Sequence, residues 1–320
     1  MSNLKPIFFL AIIGLVLSCN SAVDTATPKP TPSSDLTEQD TITYSEYQVS
    51  WSEIQSLPKS DFDFMVPYGA DDLQFGELRT PTTQDTFPVV VFLHGGCWES
   101  EFDLSYLAAA AGDLVKAGYA VWTPEYRRIG NEGGGYPGTF QDAQTSVDYL
   151  RTLAAIYPLD TNKVVLMGHS AGGHLALWLA VQENLPKNTR LYNPNPLAFQ
   201  GVISLAGITD LETYDALGNN CSSSVKRLMG GSFVDKKDRY YKGSPSRLLP
   251  SQIPLRLVHG EFDKIVPRSQ AAGFVQKAEA QGSDATLIEV AGAGHFDMVS
   301  PYSKAWEVIK SELDNLIKTN

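Results

Sequence analysis

Five consecutive residues, Gly168-His169-Ser170-Ala171-Gly172, carry the sharpest chemical signal in the chain. A serine hydroxyl is a poor nucleophile until the backbone lifts it out of a sheet and a base takes its proton. The small residues on either side allow a tight strand-to-helix turn. Residues 163–167, Lys-Val-Val-Leu-Met, read as a buried strand before it, and residues 173–180 as an apolar helix after it. The amide N–H groups that open such a helix favour developing negative charge. Ser170 is therefore the candidate nucleophile of an acyl transfer.

A nucleophilic serine needs a base, and the chain has five histidines. His169 lies inside the turn and His174 on the helix it starts, which gives both a structural reading. His94 and His259 each end an apolar run and precede a glycine, as residues that brace loops do. His295, in Gly292-Ala293-Gly294-His295-Phe296-Asp297, follows the last expected strand. Open α/β sheets place their sites beyond the C-terminal strand ends, so His295 is the expected base. The group that orients it should lie between serine and histidine in chain order. Asp263, in the loop after the expected strand 255–258, fits that order, with Glu261 as the local competitor. Asp297 is too close to His295 in sequence for the role. Acyl chemistry also needs donors for the developing oxyanion. The run Val91-Phe92-Leu93-His94-Gly95-Gly96-Cys97-Trp98 ends a strand in a glycine pair. The backbone N–H groups of Gly96, Cys97 and Ala171 are the expected donors. Gly95, Trp98 and His169 are expected to border the substrate pocket.

These residues require a scaffold that delivers strand ends to one edge. Residues 62–66 and 73–78 alternate and read as an antiparallel hairpin. A continuous apolar run follows at 89–93, as expected of a strand buried on both faces, and further strands are expected at 119–122, 164–167, 199–205, 255–258 and 285–290. Helical spacing falls between them at 104–117, 139–156, 171–181 and 268–280, and a last helix at 303–317. The alternation predicts an α/β fold: a mostly parallel eight-stranded sheet with helices on both faces. Residues 209–250 break the rhythm with Asn219-Asn220, Gly230-Gly231 and Lys236-Lys237-Asp238, and read as a small insertion over the site with a short helix near 225–229.

The chain has 320 residues, 43% of them hydrophobic, enough for one catalytic domain over 43–320. A net charge of −11 with no basic cluster excludes nucleic acid as a partner. Lys5 and the apolar run 7–17 read as a signal peptide over residues 1–18, too short to span a bilayer. The end of that run, Leu15-Val16-Leu17-Ser18-Cys19, resembles the lipobox of bacterial lipoproteins, which implies lipidation at Cys19. Residues 19–42, rich in Ser, Thr, Pro and Asp, then form a disordered tether, and the membrane is met through the lipid alone. The expected location is the cell envelope, membrane-anchored, with a secreted or periplasmic protein as the alternative. The two remaining cysteines, Cys97 and Cys221, make no disulfide framework and are expected to stay unpaired.

Taken together, Ser170, Asp263, His295 and the His94-Gly95-Gly96-Cys97-Trp98 run resemble the α/β-hydrolase superfamily. The similarity is to the esterase, lipase and kynurenine-formamidase-like group, whose oxyanion motif reads H-G-G-x-W. It runs from about residue 68 to 295. Tyr68-Gly69 with residues 74–81 resembles that group's opening hairpin, and Glu125-Tyr126-Arg127-Arg128 with residues 133–143 its strand-loop-helix block. Asp142 in that block is read as fixing the loop. The resemblance implies Ser170, Asp263 and His295 as a triad, with no cofactor and no metal. Cys97 departs from the motif, where relatives often carry an aromatic residue or glycine. The expected activity is hydrolysis of carboxylic esters with short acyl groups, the substrate a small-molecule or glycan ester. An amidase, formamidase or prolyl-oligopeptidase-like peptidase is the alternative, and a non-catalytic binding lipoprotein the rival outside enzymes.

Overall fold

The computed structural model describes residues 48–82, 86–218 and 220–318. The expected signal peptide, the expected lipidation site Cys19 and the expected tether lie outside the described residues. Eight strands form one sheet: β1 (Phe64–Pro67), β2 (Phe75–Arg79), β3 (Phe87–Leu93), β4 (Ala120–Pro124), β5 (Leu159–His169), β6 (Gly201–Leu205), β7 (Leu255–Gly260) and β8 (Ala285–Val290). Their spatial order is β1-β2-β4-β3-β5-β6-β7-β8. The first hairpin is antiparallel, and β2 joins β4 antiparallel. From β4 to β8 every pairing is parallel.

The apolar runs are continuous because the sheet is covered on both sides. Val89, Val91 and Leu93 of β3 join one buried cluster, whereas Val90 and Phe92 join the other. Strand β5 divides in the same way, with Val164 and Leu166 on one face and Val165 and Met167 on the opposite face. A parallel interior strand has no solvent face, so neither position tolerates polarity. The helices are α1 (Trp51–Ser56), α2 (Ala108–Lys116), α3 (Gly138–Asp148), α4 (Leu150–Leu153), α5 (Ala171–Ala180), α6 (Leu211–Asp215), α7 (Ser224–Met229), α8 (Phe233–Gly243), α9 (Arg268–Ala280) and α10 (Lys304–Lys318). This is the α/β-hydrolase arrangement.

Several expectations need adjustment. The helix expected over 139–156 is broken at Tyr149 into α3 and α4, and the one expected at 104–117 opens with a 3₁₀ turn over Leu104–Leu107. The insertion is more helical than its composition implied, with α6, α7 and α8 in place of one short helix. Helix α8 hides behind the charges Lys236, Lys237 and Asp238, yet Ser232 caps it by accepting the Asp235 N–H. The expectation of free cysteines is overturned: Cys97 and Cys221 form a disulfide. The insertion folds back over the exit of β3 and brings the two Cα atoms to 5.0 Å across a sequence separation of 124. Spacing along the chain carries no trace of that approach.

Candidate active site

Strand β5 runs directly into the Ser170 turn, and backbone crowding dictates its sequence. A Cβ on Gly172 would overlap the carbonyl of Leu93 in β3. Ser170 itself is held at φ 57° and ψ −117°, a conformation costly for a residue with a side chain. Its N–H donates to the Leu205 carbonyl at 2.8 Å, and its carbonyl accepts the His174 N–H at 3.0 Å, so sheet and helix clamp the turn from both ends.

The loops after β7 and β8 bring Asp263 and His295 together. His295 Nδ1–H donates to Asp263 Oδ2 at 2.7 Å, and both side chains are almost wholly buried. The other carboxylate oxygen of Asp263 accepts the Ile265 and Val266 N–H groups at 2.8 and 2.9 Å. Burial acts to raise the Asp263 pKa, but the His295 ring and these hydrogen bonds outweigh it and hold the carboxyl below its ordinary value. Asp263 therefore stays an acceptor and holds the His295 proton on Nδ1, which leaves Nε2 as the unprotonated ring nitrogen. Glu261, the competitor, turns away and accepts the Gly292 N–H at 2.9 Å. Asp297 accepts the N–H groups of Val49 and Gly294, at 3.1 and 2.8 Å.

Ser170 and His295 line one cavity of about 240 Å³, together with Gly96, the Cys97–Cys221 bridge and His169. Trp51, Phe102, Tyr106, Ile265 and Phe296 complete its wall. Gly96 (φ 95°) and Cys97 (φ 55°) both take left-handed backbone. A Cβ at Gly96 would overlap Phe102, so only glycine fits there. Among the described residues, no hydrogen-bond acceptor engages the N–H groups of Gly96, Cys97 or Ala171. Three amides beside a serine Oγ, unengaged by the protein, are the equipment that a developing oxyanion needs.

The remaining pocket expectations divide. His169 does line the cavity. Trp98 does not: it is fully buried, packing edge-on against His174 with ring centres 5.2 Å apart. Gly95 is also outside the cavity wall, its N–H donating to the Tyr106 hydroxyl at 2.6 Å. That hydroxyl meets His169 Nδ1 at 2.9 Å, and His169 Nε2 meets the His295 carbonyl at 3.1 Å. Burial, with His295 alongside, holds the His169 pKa well below its ordinary value.

The other histidines brace the surroundings. His94 bonds Glu125 at 2.8 Å and stacks on Tyr126 at 4.2 Å, fixing the β3 exit. His259 Nε2 donates to the Val266 carbonyl at 2.9 Å inside the Asp263 loop. His174 Nε2 donates to the Gly243 carbonyl at 2.8 Å, and Trp178 to the Lys242 carbonyl at 2.7 Å, so α5 holds the end of the insertion. Asp142 accepts four N–H groups from Arg127 and Gln74, which ties its loop together.

Sequence reasoning did not reach Trp51, Phe102, Tyr106, Cys221, Ile265 or Phe296. Phe296 and Ile265 stand next to or near His295 and Asp263 in sequence, which is a usable signal. Trp51 and Phe102 have none, because they enter by tertiary packing.

Comparison with known proteins supplies the wider setting. The model of the BD-FAE family matches residues 78–278, well over half of the chain. Esterase LipC of Mycobacterium tuberculosis is 25% identical over 242 residues, covering 73% of this chain and 60% of LipC. The chain thus spans less than two thirds of that relative. Kynurenine formamidase of Drosophila melanogaster is 28% identical over 72% of this chain and 75% of its own length. A truncated carbohydrate esterase from gut microbiota superposes with a TM-score of 0.70 at 21% identity, covering 81% of this chain and 96% of that one, a likeness of fold.

Proposed function

The chain belongs to the BD-FAE family, and from that premise we propose that it hydrolyses carboxylic esters through an acyl-enzyme on Ser170. The observation that carries the reading is the His295–Asp263 contact of 2.7 Å at the wall of the cavity that also holds Ser170. In this reading Ser170 Oγ attacks the acyl carbon as His295 Nε2 takes its proton, and Asp263 holds the imidazole in place. The oxyanion is met by the N–H groups of Gly96, Cys97 and Ala171. The alcohol leaves with the proton from His295, and a water deacylates the serine by the same route. A cavity of about 240 Å³, walled by Phe102, Phe296 and a disulfide, favours short acyl groups over long ones. The names of LipC and of the gut carbohydrate esterase support an ester rather than an amide, and the latter favours a glycan ester among substrates.

The test is release of p-nitrophenol from acetyl, butyryl and octanoyl esters, with Ser170→Ala as control. Rapid acetyl turnover lost in the variant supports the reading. Equal activity in the variant, or no turnover at any chain length, rejects it, and a formyl-amide substrate would then test the activity named for the Drosophila relative.

We also propose that the protein is exported and anchored by a lipid on Cys19. The support is the apolar run before that cysteine together with the Cys97–Cys221 bridge, since disulfides persist in oxidising compartments. Metabolic labelling with an alkyne fatty acid should mark the protein and fail on Cys19→Ala. Undiminished labelling of that variant would reject the anchor.

A further inference from the structure

Three rings, Trp51, Phe102 and Tyr106, line the cavity that holds Ser170 and also line a second hollow of about 250 Å³. The other residues of that hollow, Gln55, Lys59, Glu101, Asp103 and Ser105, take no part in the Ser170 cavity. The two spaces are separate, and the rings are the boundary they have in common. Volume gives that boundary its meaning. The Ser170 cavity, at about 240 Å³, is smaller than the roughly 300–1,000 Å³ usual for drug-sized ligands, whereas both spaces together would lie within that range.

The three rings differ in what else they do. Phe102 backs the exit of β3, since a Cβ on Gly96 would lie 2.2 Å from the Phe102 Cβ. Tyr106 is buried, and its hydroxyl accepts the Gly95 N–H at 2.6 Å. The Trp51 side chain is half-buried and packs on rings, with centres 5.8 Å from Phe102, 5.4 Å from Tyr106 and 5.4 Å from Phe296. Its helix, α1, is firmly seated. Ser50 and Glu53 cap it reciprocally, Ile54 is buried, and the Val49 N–H just before it donates to Asp297 Oδ2 at 3.1 Å. An indole at the head of such a helix is a fixed wall. Helix α1 precedes residue 78, so this wall lies outside the family match.

We infer that Trp51 is a specificity-determining residue: its indole closes the Ser170 cavity against the second hollow, and an acyl chain that outgrows the cavity is stopped there. The inference rests on the ester-hydrolase reading and adds the residue that sets the limit on acyl length. The residues that belong to the second hollow alone are polar. A chain that reached it would gain room but little apolar contact. Truncating the indole should therefore relax the limit on length rather than create a preference for long chains.

The experiment measures kcat/KM of the native enzyme, Trp51→Phe and Trp51→Ala on p-nitrophenyl acetate, butyrate and octanoate. The leaving group is the same throughout, so the ratio between esters reports the acyl side, and it cancels any loss common to all three. The native enzyme should prefer acetate to octanoate. In Trp51→Ala the octanoate-to-acetate ratio should rise about tenfold or more, as expected when a pocket no longer excludes added methylenes. Trp51→Phe keeps a smaller ring in the same place and should give an intermediate ratio, and it carries the test if the alanine variant does not fold. An unchanged ratio in an active variant overturns the inference alone. So does a native enzyme that cleaves octanoate as well as acetate. Loss of acetate turnover in both variants would assign Trp51 to support of the fold and overturns it too. Failure of the native enzyme on all three esters overturns the ester-hydrolase reading and this inference with it.

Discussion

Ser170, Asp263 and His295 each stand at or just beyond the end of a parallel strand, β5, β7 and β8 respectively. Backbone groups of the sheet and of α5 clamp Ser170, amides of its own loop hold Asp263, and Asp263 holds the His295 ring. The opposite wall of the cavity is assembled differently. Trp51 comes from α1, Phe102 and Tyr106 from the stretch after β3, and Cys221 from the insertion, and what joins them is ring contact and one disulfide. The first region places its atoms by short-range backbone geometry, the second by long-range packing. Chemistry should therefore fail when the first is changed, and specificity or stability when the second is.

The largest effect should come from the nucleophile. Ser170→Ala is expected to lower kcat by about 10⁵–10⁶-fold with the fold intact, since loss of a triad nucleophile leaves only binding and oxyanion stabilisation. Steady-state kinetics with p-nitrophenyl acetate reads this directly, and residual activity within about a hundredfold of native would remove Ser170 from the mechanism. Asp263→Asn should follow, with kcat down about 10⁴-fold. The amide that replaces the carboxylate still takes the Ile265 and Val266 N–H groups but no longer selects the productive tautomer of His295. A loss as small as tenfold would mean that Glu261 or another acid supplies the function.

The second region responds in stability. Cys97→Ser with Cys221→Ser, or reduction of the bridge, frees a loop of 124 residues and should cost about 2–5 kcal/mol in denaturant unfolding. An unchanged midpoint under reductant would show that the insertion is held chiefly by His174 and Trp178.

This contrast explains what the sequence could reveal. The turn at Ser170 was legible because crowding at Gly172 and the buried strand before it are both local demands. Asp263 and His295 were legible because strand ends and chain order restrict where an acid and a base can stand. The strand pattern was legible because burial on both faces leaves unbroken apolar runs such as residues 89–93. Cys97 and Cys221 were misread because pairing depends on a 5.0 Å approach that no spacing encodes. Helix α8 was missed because its charges resemble those of a loop, and Trp51 because its place comes from three rings distant in sequence.

A pH experiment tests how tightly the insertion is tied down. Burial lowers the His174 pKa to about 4, against a small opposing contribution from its bond to Gly243. Between its ordinary value of 6.5 and 4, the unfolded chain binds a proton that the folded one excludes. Stability contributed by the neutral ring is thus complete above 6.5 and declines as the pH falls toward 4, by on the order of 3 kcal/mol. His174→Gln, which keeps a donor for Gly243, should flatten that part of the stability curve. A variant curve parallel to the native one would assign the slope to His169 and His259, whose pKa values are also lowered by burial.

The smallest effect lies where the two regions meet, at Tyr106. Its hydroxyl oxygen accepts the Gly95 N–H, so its hydrogen points to His169 Nδ1. That leaves the ring's one proton on Nε2, donated to the His295 carbonyl. A single tautomer thus satisfies every bond, and it links the exit of β3 to the backbone of His295. Burial first, and the neighbouring His295 second, hold the His169 pKa well below its ordinary value, so the ring stays neutral in this arrangement. Tyr106→Phe removes the link but leaves Ser170, His295 and Asp263 in place. It should lower kcat about tenfold with KM little changed, a modest misplacement of the base relative to the oxyanion donors. His169→Gln, which can still donate to the His295 carbonyl, should retain more kcat than His169→Leu. If Tyr106→Phe loses only thermal stability, and the two His169 variants are equally active, the ring and hydroxyl are packing alone and the two regions are not coupled through them.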